Sequence, residues 1–345
     1  MLNERESRVL KLIIDEYIES ATPVGSRFIS KNSDLGLSPA SIRNIMSDLE
    51  ESGYISHTHV SSGRIPTDKG FRFYVDQYVS LDKITPNFFK DIEKSIPSSL
   101  PVLFKEISRK LGEISKSVGF VVSPKINNMF LRHIEFLRLN QRNVLAIIVT
   151  KSGMVHNIIF EVGEDVTDSK MQRVSNFLNQ NFVGRSLGEI KDEIVTSIQG
   201  RKNDIDEIAS QIETLTRKVF ERGDFGGEVI VYGTKNILKF PEARNFEDID
   251  ELLNFFEEKT FVYDIVEKCI ESPGVKIFIG SELAKTHGHL SLVAKPYQRG
   301  SRILGTLGVI GPKNMKYPEV VPMVDYTAEI ISKLLNKIGG TDEGK

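Results

Sequence analysis

Residues Ser38 to Val79 read SPASIRNIMSDLEESGYISHTHVSSGRIPTDKGFRFYVDQYV, and this stretch decides how the N-terminal part of the chain must fold. Ser38 offers a hydroxyl to cap a helix start, and Pro39 stands at the first helical position, where a missing backbone N–H costs nothing. Ile42, Ile45, Met46 and Leu49 then recur three and four residues apart, forming one apolar stripe on a helix that runs to about Ser52. Gly53 follows as a left-handed stop. The opposite face carries Ala40, Ser41, Arg43, Asn44 and Ser47. Such side chains read a DNA groove: Arg bonds bidentately to guanine, Asn to adenine, and Ser reaches bases or phosphates. Asp48, Glu50 and Glu51 crowd the C-terminal end, so the N-terminal half is expected to do the reading.

Two helices precede this one. In the first, Val9, Leu10, Ile13, Ile14, Tyr17 and Ile18 make a wide apolar stripe. The second spans roughly Gly25 to Lys31, with Phe28 and Ile29 expected inward and Arg27 and Lys31 outward. After the reading helix, Tyr54 to Val60 and Arg64 to Thr67 are short extended runs around Ser61-Ser62-Gly63, a hairpin whose glycine permits positive φ. Arg64 and His59 are expected at its tip, where a wing meets the phosphate backbone or the minor groove. A polar outer face on an amphipathic helix also fits a merely solvated surface; the alternative is a winged helix-turn-helix that contacts double-stranded DNA through Arg27, Ser38, Ser41, Arg43, Asn44, Ser47, His59, Ser61, Ser62, Gly63 and Arg64. Residues 1–80 hold nine Lys/Arg against eleven Asp/Glu, so any attractive field is local rather than domain-wide.

Composition works mainly by exclusion. A chain of 345 residues is long enough for two or three domains, each with its own core. Its one cysteine, Cys269, cannot make an intramolecular disulfide and sits among apolar neighbours, so a buried thiol and a reducing compartment are expected. The start is charged, and the longest apolar run, Val144 to Val149, is far too short for a bilayer; a cytoplasmic protein with no membrane partner is expected. A net charge of −2 suits sequence-specific binding by a small module better than general coating of nucleic acid.

Beyond the hairpin, Phe71 to Val79 reads as a short amphipathic helix and Asp82 to Pro101 as a polar linker. Val102 to Ile114 forms a helix face, followed by a strand at Gly119 to Ser123. Phe130 to Leu139, Val144 to Thr150 and Met154 to Val162 read as an antiparallel meander, with helices near Thr167 to Asn181, Leu187 to Ile198 and Asn203 to Arg222. Strands resume at Glu228 to Tyr232, Val275 to Ile279, Leu290 to Lys295 and Arg302 to Ile310. Helices are expected at Phe246 to Glu258 and Phe261 to Ile270, and a last one at Val324 to Ile338.

Two blocks resemble one known family. The run ASIRNIMSDLEESGYI with HVSSGRIPTDKGFRFYVD, and GTLGVIGPKNMKYPEVVPMVDYTAEIISKLL near the C-terminus, are similar in wording, order and spacing to the heat-inducible transcription repressors of the HrcA family. The family pattern more often has an acidic residue at the position of Ile45, Thr at Val60, Ala at Ser62, Tyr at Phe71 and Arg at Asn314. The resemblance implies an α+β chain with an N-terminal winged helix-turn-helix (1–80), a linker (81–101), a GAF-like α/β domain with an antiparallel sheet (102–124 and 224–340), and an inserted α+β dimerising domain (125–223). It also implies a homodimer that represses chaperone genes from an inverted-repeat operator and is modulated by the GroE chaperonin. Ile147, Val149, Ile158 and Phe160 offer an apolar sheet face for a twofold interface.

Other classes of function leave weaker traces. His57-Thr58-His59 and His287-Gly288-His289 are the close histidine pairs, and neither has a Cys or carboxylate at metal-ligand spacing. Gly305-x-x-Gly308-x-x-Gly311 has the wrong spacing for a dinucleotide fingerprint and sits within a strand, where close sheet packing explains it. Asp325 and Tyr326 read as a helix cap and a packing residue. No motif asks for a cofactor or supplies a catalytic nucleophile. The rival reading is a ligand-gated regulator whose GAF-like domain senses a small metabolite.

Overall fold

The structure, a computed structural model, describes residues 2–57, 63–81, 100–124, 129–163, 166–199, 215, 229–239, 269, 273–283, 288, 290–300 and 302–339. The chain mixes helices with antiparallel sheets and forms two compact units, Met1–Lys94 with Ile107–Val121 and Val231–Lys345, and Ser95–Glu106 with Val122–Ile230. Expected helices near 203–222, 246–258 and 261–270 lie outside the described residues, apart from Leu215 and Cys269. Cys269 is buried, and burial pushes its thiol up to about 12. No described helix is long and apolar enough to cross a membrane.

In the first unit, α1 (Glu4–Ser20) starts at a reciprocal cap in which Asn3 Oδ1 accepts from the Glu6 N–H at 3.0 Å and Glu6 Oε2 from the Asn3 N–H at 2.9 Å. Val9, Leu10, Ile13 and Ile14 on its stripe are fully buried. In α2 (Ser26–Asn32) Ile29 is buried, but Phe28, expected inward, is 39% exposed. Neighbouring residues on a helix point about 100° apart, so a seven-residue helix against a narrow core can bury only one of the two. In α3 (Pro39–Glu51), Ser38 Oγ accepts from the Ser41 N–H at 3.1 Å, and Gly53 takes φ +75° just beyond the end. Ile42 and Leu49 are fully buried, whereas Ile45 lies half-buried at the margin of the stripe.

The hairpin joins β1 (Ile55–His57) to β2 (Arg64–Pro66), with His57 opposite Arg64. Main-chain bonds in both directions, at 2.9 and 2.8 Å, also tie Arg64 to Val24. Gly63 is needed here for space rather than for the positive φ expected: a Cβ would lie 2.7 Å from the Pro23 carbonyl carbon and oxygen. Then α4 (Asp68–Tyr78), capped by Thr67 Oγ1, packs Phe71, Tyr74 and Val75 inward.

The same unit contains a five-stranded sheet in the order β7 (Val229–Tyr232), β3 (Val118–Val122), β10 (Arg302–Pro312), β9 (Leu290–Arg299), β8 (Lys276–Ile279). Helices α5 (Leu100–Ser115) and α8 (Tyr317–Gly339) accompany it. A Cβ on Gly308 would stand 2.2 Å from the Val293 carbonyl oxygen and 2.9 Å from the Phe120 ring, which is the close packing expected of the glycine series. Helix α8 begins well before Val324. Pro318 falls in its first turn, where an N–H would be unpaired anyway, and Pro322 gives up one backbone bond. Asp325 is therefore interior to the helix and no cap; it binds Lys295 Nζ at 2.6 Å.

The N-terminal helices meet this sheet through polar contacts. Asp68 accepts from Lys313 Nζ at 2.8 Å and from the Ser281 N–H at 2.9 Å. Arg72 holds the Glu282 carboxylate and donates to the Ile277 carbonyl at 2.6 Å, and Lys316 pairs with Glu19 at 2.6 Å. Phe71 and Tyr317 pack beside them with tilted rings, their centres 6.2 Å apart. Burial alone would raise the Asp68 carboxyl, but the bonds from Lys313 and Ser281 outweigh it and hold the group below its ordinary value.

In the second unit, β4 (Leu131–Arg138), β5 (Asn143–Thr150) and β6 (Val155–Glu161) form the expected meander, with α6 (Asp168–Phe182) and α7 (Leu187–Gln199) following. Strand pairing sets Val144 opposite Phe160 and Ala146 opposite Ile158. Phe136, Val144, Ala146, Ile148 and Phe160 join Val174 and Leu178 of α6 in one buried core. Side chains alternate along a strand, so Ile147 and Val149 point to the other face. The four residues read as one interface face thus belong to two faces, with Ile158 and Phe160 on the side of the core. The outer face is Leu137, Leu145, Ile147, Val149, Val155 and Ile159, of which Val155 and Ile159 are 57% and 58% exposed. The outer margin of β4 is covered: Asn179 bonds both the N–H and the C=O of Ile134, at 2.9 and 2.8 Å, and Ser175 takes the Phe136 N–H.

Candidate nucleic-acid interface

Packing of the α3 stripe against α1 leaves one face of the helix outward. Ala40, Arg43, Asn44 and Ser47 are exposed, and Ser41 is half-buried beneath the Ser38 cap. No described residue bonds the side chain of Arg43, Asn44 or Ser47, so a guanidinium, an amide and a hydroxyl stand together with their hydrogen-bonding capacity unused. They occupy the first two and a half turns of a helix whose dipole and N-terminal amide groups also favour phosphate. Arg27 is exposed on α2. Asp48 and Glu51 are exposed at the far end of α3, which confines any attraction for a polyanion to the N-terminal half.

Glu50 behaves differently from its acidic neighbours. One carboxylate oxygen takes His57 Nδ1, on β1, and the other takes Arg64 Nη2, on β2, at 2.8 Å. The bond to His57 and the charge of Arg64 hold the Glu50 carboxyl below the ordinary carboxylate range against a smaller burial effect. Arg64, expected at the hairpin tip, is instead the first residue of β2, half-buried, with its guanidinium directed back onto α3. The tip itself, with His59, Ser61 and Ser62, falls outside the described residues. Sequence reading found the exposed α3 residues through periodicity. It missed the Glu50 tie, whose members lie on α3, β1 and β2, and local pattern carries no signal for such a set.

The turn between α3 and β1 is closed from α4. Lys69 Nζ donates to the Ser52 carbonyl at 2.8 Å and lies 4.4 Å over the Tyr54 ring, and Thr67 Oγ1 donates to the Gly53 carbonyl at 2.7 Å. Elsewhere in this unit a cavity of about 280 Å³ is bordered by Ile114, Asn314, Met315, Val320 and Met323. The buried Asn314 Oδ1 has no hydrogen-bond partner among the described residues. No three His, Cys, Asp or Glu among the described residues lie together as a metal would require.

Residues 102–321 match the family model described as the HrcA protein C terminal domain. The chain is 37% identical over 339 residues, 97% of its length and 98% of the relative, to the heat-inducible transcription repressor HrcA of Geobacter sulfurreducens. It is 33% identical over 343 residues to the protein of that name in Syntrophobacter fumaroxidans, covering 98% of this chain and 99% of the other. Among solved structures, a crystal structure of a hypothetical protein matches with a TM-score of 0.62 at 23% identity, over 98% of this chain and 99% of that one, a likeness of fold.

Proposed function

We propose a mode of action for a chain that belongs to the HrcA family of heat-inducible transcription repressors. It is a transcriptional repressor of heat-shock genes and not an enzyme. Residues 1–80 act as a winged helix-turn-helix, with α3 entering the major groove and the β1–β2 hairpin as the wing. Arg43 and Asn44 read base edges, Ser38, Ser41 and Ser47 reach bases or phosphates, and Arg27 meets the backbone. The observation that carries this reading is the group of exposed, unpartnered Arg43, Asn44 and Ser47 on a helix capped at Ser38.

The repressor works as a homodimer in the cytoplasm, and two α3 helices related by a twofold axis fit an inverted-repeat operator. The outer face of the meander supplies the interface. Its cross-strand rows, Leu137–Leu145–Ile159 and His133–Val149–Val155, put exposed apolar side chains where a second copy would cover them. The GroE chaperonin sets how much repressor is active, so that unfolded clients which occupy the chaperonin release the chaperone genes. The test is selection of bound duplexes from a random pool, with and without chaperonin, followed by footprinting upstream of chaperone genes. An inverted repeat recovered there, and bound more weakly with relaxed preference at single positions by Arg43→Ala, supports the reading; a pool with no enriched sequence refutes it. Ile159→Asp should yield monomers by sedimentation and abolish preference for the paired half-sites.

A second reading rests on the cavity beside Asn314. If the five-stranded sheet is a GAF-like sensor, a small apolar molecule carrying a hydrogen-bond donor would fill it and satisfy the Asn314 amide oxygen. A thermal shift with metabolite mixtures that disappears in Asn314→Leu would favour that reading.

A further inference from the structure

A carboxylate close to a surface that binds DNA repels phosphate, so an acidic residue there has to be explained by what it holds. Glu50 is in the last turn of α3, and its two oxygens are divided between the two strands of the hairpin. His57 and Arg64 face one another across the ladder and are the last described pair before the tip. The clamp therefore ties the last described pair of the two strands to the end of α3. A second anchor lies alongside, in the main-chain bonds between Arg64 and Val24, which the missing Cβ of Gly63 allows to approach. The backbone anchor ties the start of β2 to Val24, and the carboxylate ties both strands to α3.

We propose that Glu50 is a positioning residue for DNA recognition: by holding His57 and Arg64 together it sets the wing at the inclination that lets α3 and the wing meet one duplex at once. Arg64 then acts through Glu50 and is no independent phosphate contact. This rests on the reading of α3 and the hairpin as a winged helix.

The two possible roles of Glu50 give opposite signs. If only its charge matters, Glu50→Gln tightens binding to every duplex, as Glu51→Gln should one residue further along. If it positions the wing, Glu50→Gln weakens operator binding roughly threefold to tenfold while Glu51→Gln does not, and Arg64→Gln added to Glu50→Gln costs little more, because residues in one network do not add. Glu50→Asp keeps the charge but is one methylene too short to reach both strands, and should weaken the operator complex too. Binding of the full-length chain to operator and to unrelated duplex is measured by equilibrium titration, with thermal midpoints recorded for each variant. Tighter binding by Glu50→Gln, wild-type binding by Glu50→Asp, or additive losses from positions 50 and 64 would overturn the proposal. Failure of the underlying reading shows separately, as a wild-type chain that prefers no duplex or an Arg43→Ala variant that binds normally.

Discussion

Arg43 and Asn44 each present donors that no described residue uses, and their exposure sets a clear expectation for substitution. Arg43→Ala or Asn44→Ala should cost about 1–3 kcal/mol in operator binding and relax preference at single base positions, with the thermal midpoint unchanged. Titration against a set of operators altered one base pair at a time measures both effects. These residues were legible in the sequence because the helix that displays them is specified locally: a capping serine, a proline at the first position and a glycine stop need no information from elsewhere. Arg64 was not legible in the same way. A cation beside a hairpin reads as a phosphate contact, and the carboxylate that takes it is a helix residue 14 positions earlier, facing it only after the hairpin folds back. Gly63 was identified as necessary but for the wrong reason, since the Pro23 carbonyl that excludes a side chain comes from another element.

At the scale of elements, apolar periodicity decides existence and pairing decides orientation. Leu49 is fully buried on the α3 stripe. Leu49→Ala should therefore destabilise the unit by roughly 2–5 kcal/mol in chemical denaturation, by leaving a cavity, and weaken DNA binding without altering base preference in the fraction that stays folded. The meander strands were legible as three extended runs in succession. Which residues share a face was not, because that depends on an odd or even count through the turn. Thr150 and Met154 close it, with Gly153 at φ +80°, so Val149 meets Val155 and Ile147 parts from Ile158. A slip of one residue would exchange the faces. Phe28 and the start of α8 were misjudged for different reasons: a short helix buries little, and α8 takes in Pro318 in its first turn and Pro322 at the cost of one backbone bond.

For the molecule as a whole, the polar seam between the N-terminal helices and the five-stranded sheet predicts an acid limb in stability. Asp68 is held below its ordinary value of 3.8 in the folded state, so its contribution is complete above that value and is lost as pH falls through the depressed folded value. Glu50, lowered from 4.5, acts in the same direction. Denaturant midpoints should fall on acidification in this window, and Asp68→Asn should be less stable at neutral pH yet lose less on acidification. None of these partners could be paired from sequence, as Asp68 and Lys313 are 245 positions apart.

Asn179 and Ser175 occupy the free backbone groups of β4, and the chain around Arg185 bonds the start of that strand as well. At those positions the described side chains leave β4 closed to a foreign strand, which blunts that border of the meander against edge-to-edge pairing.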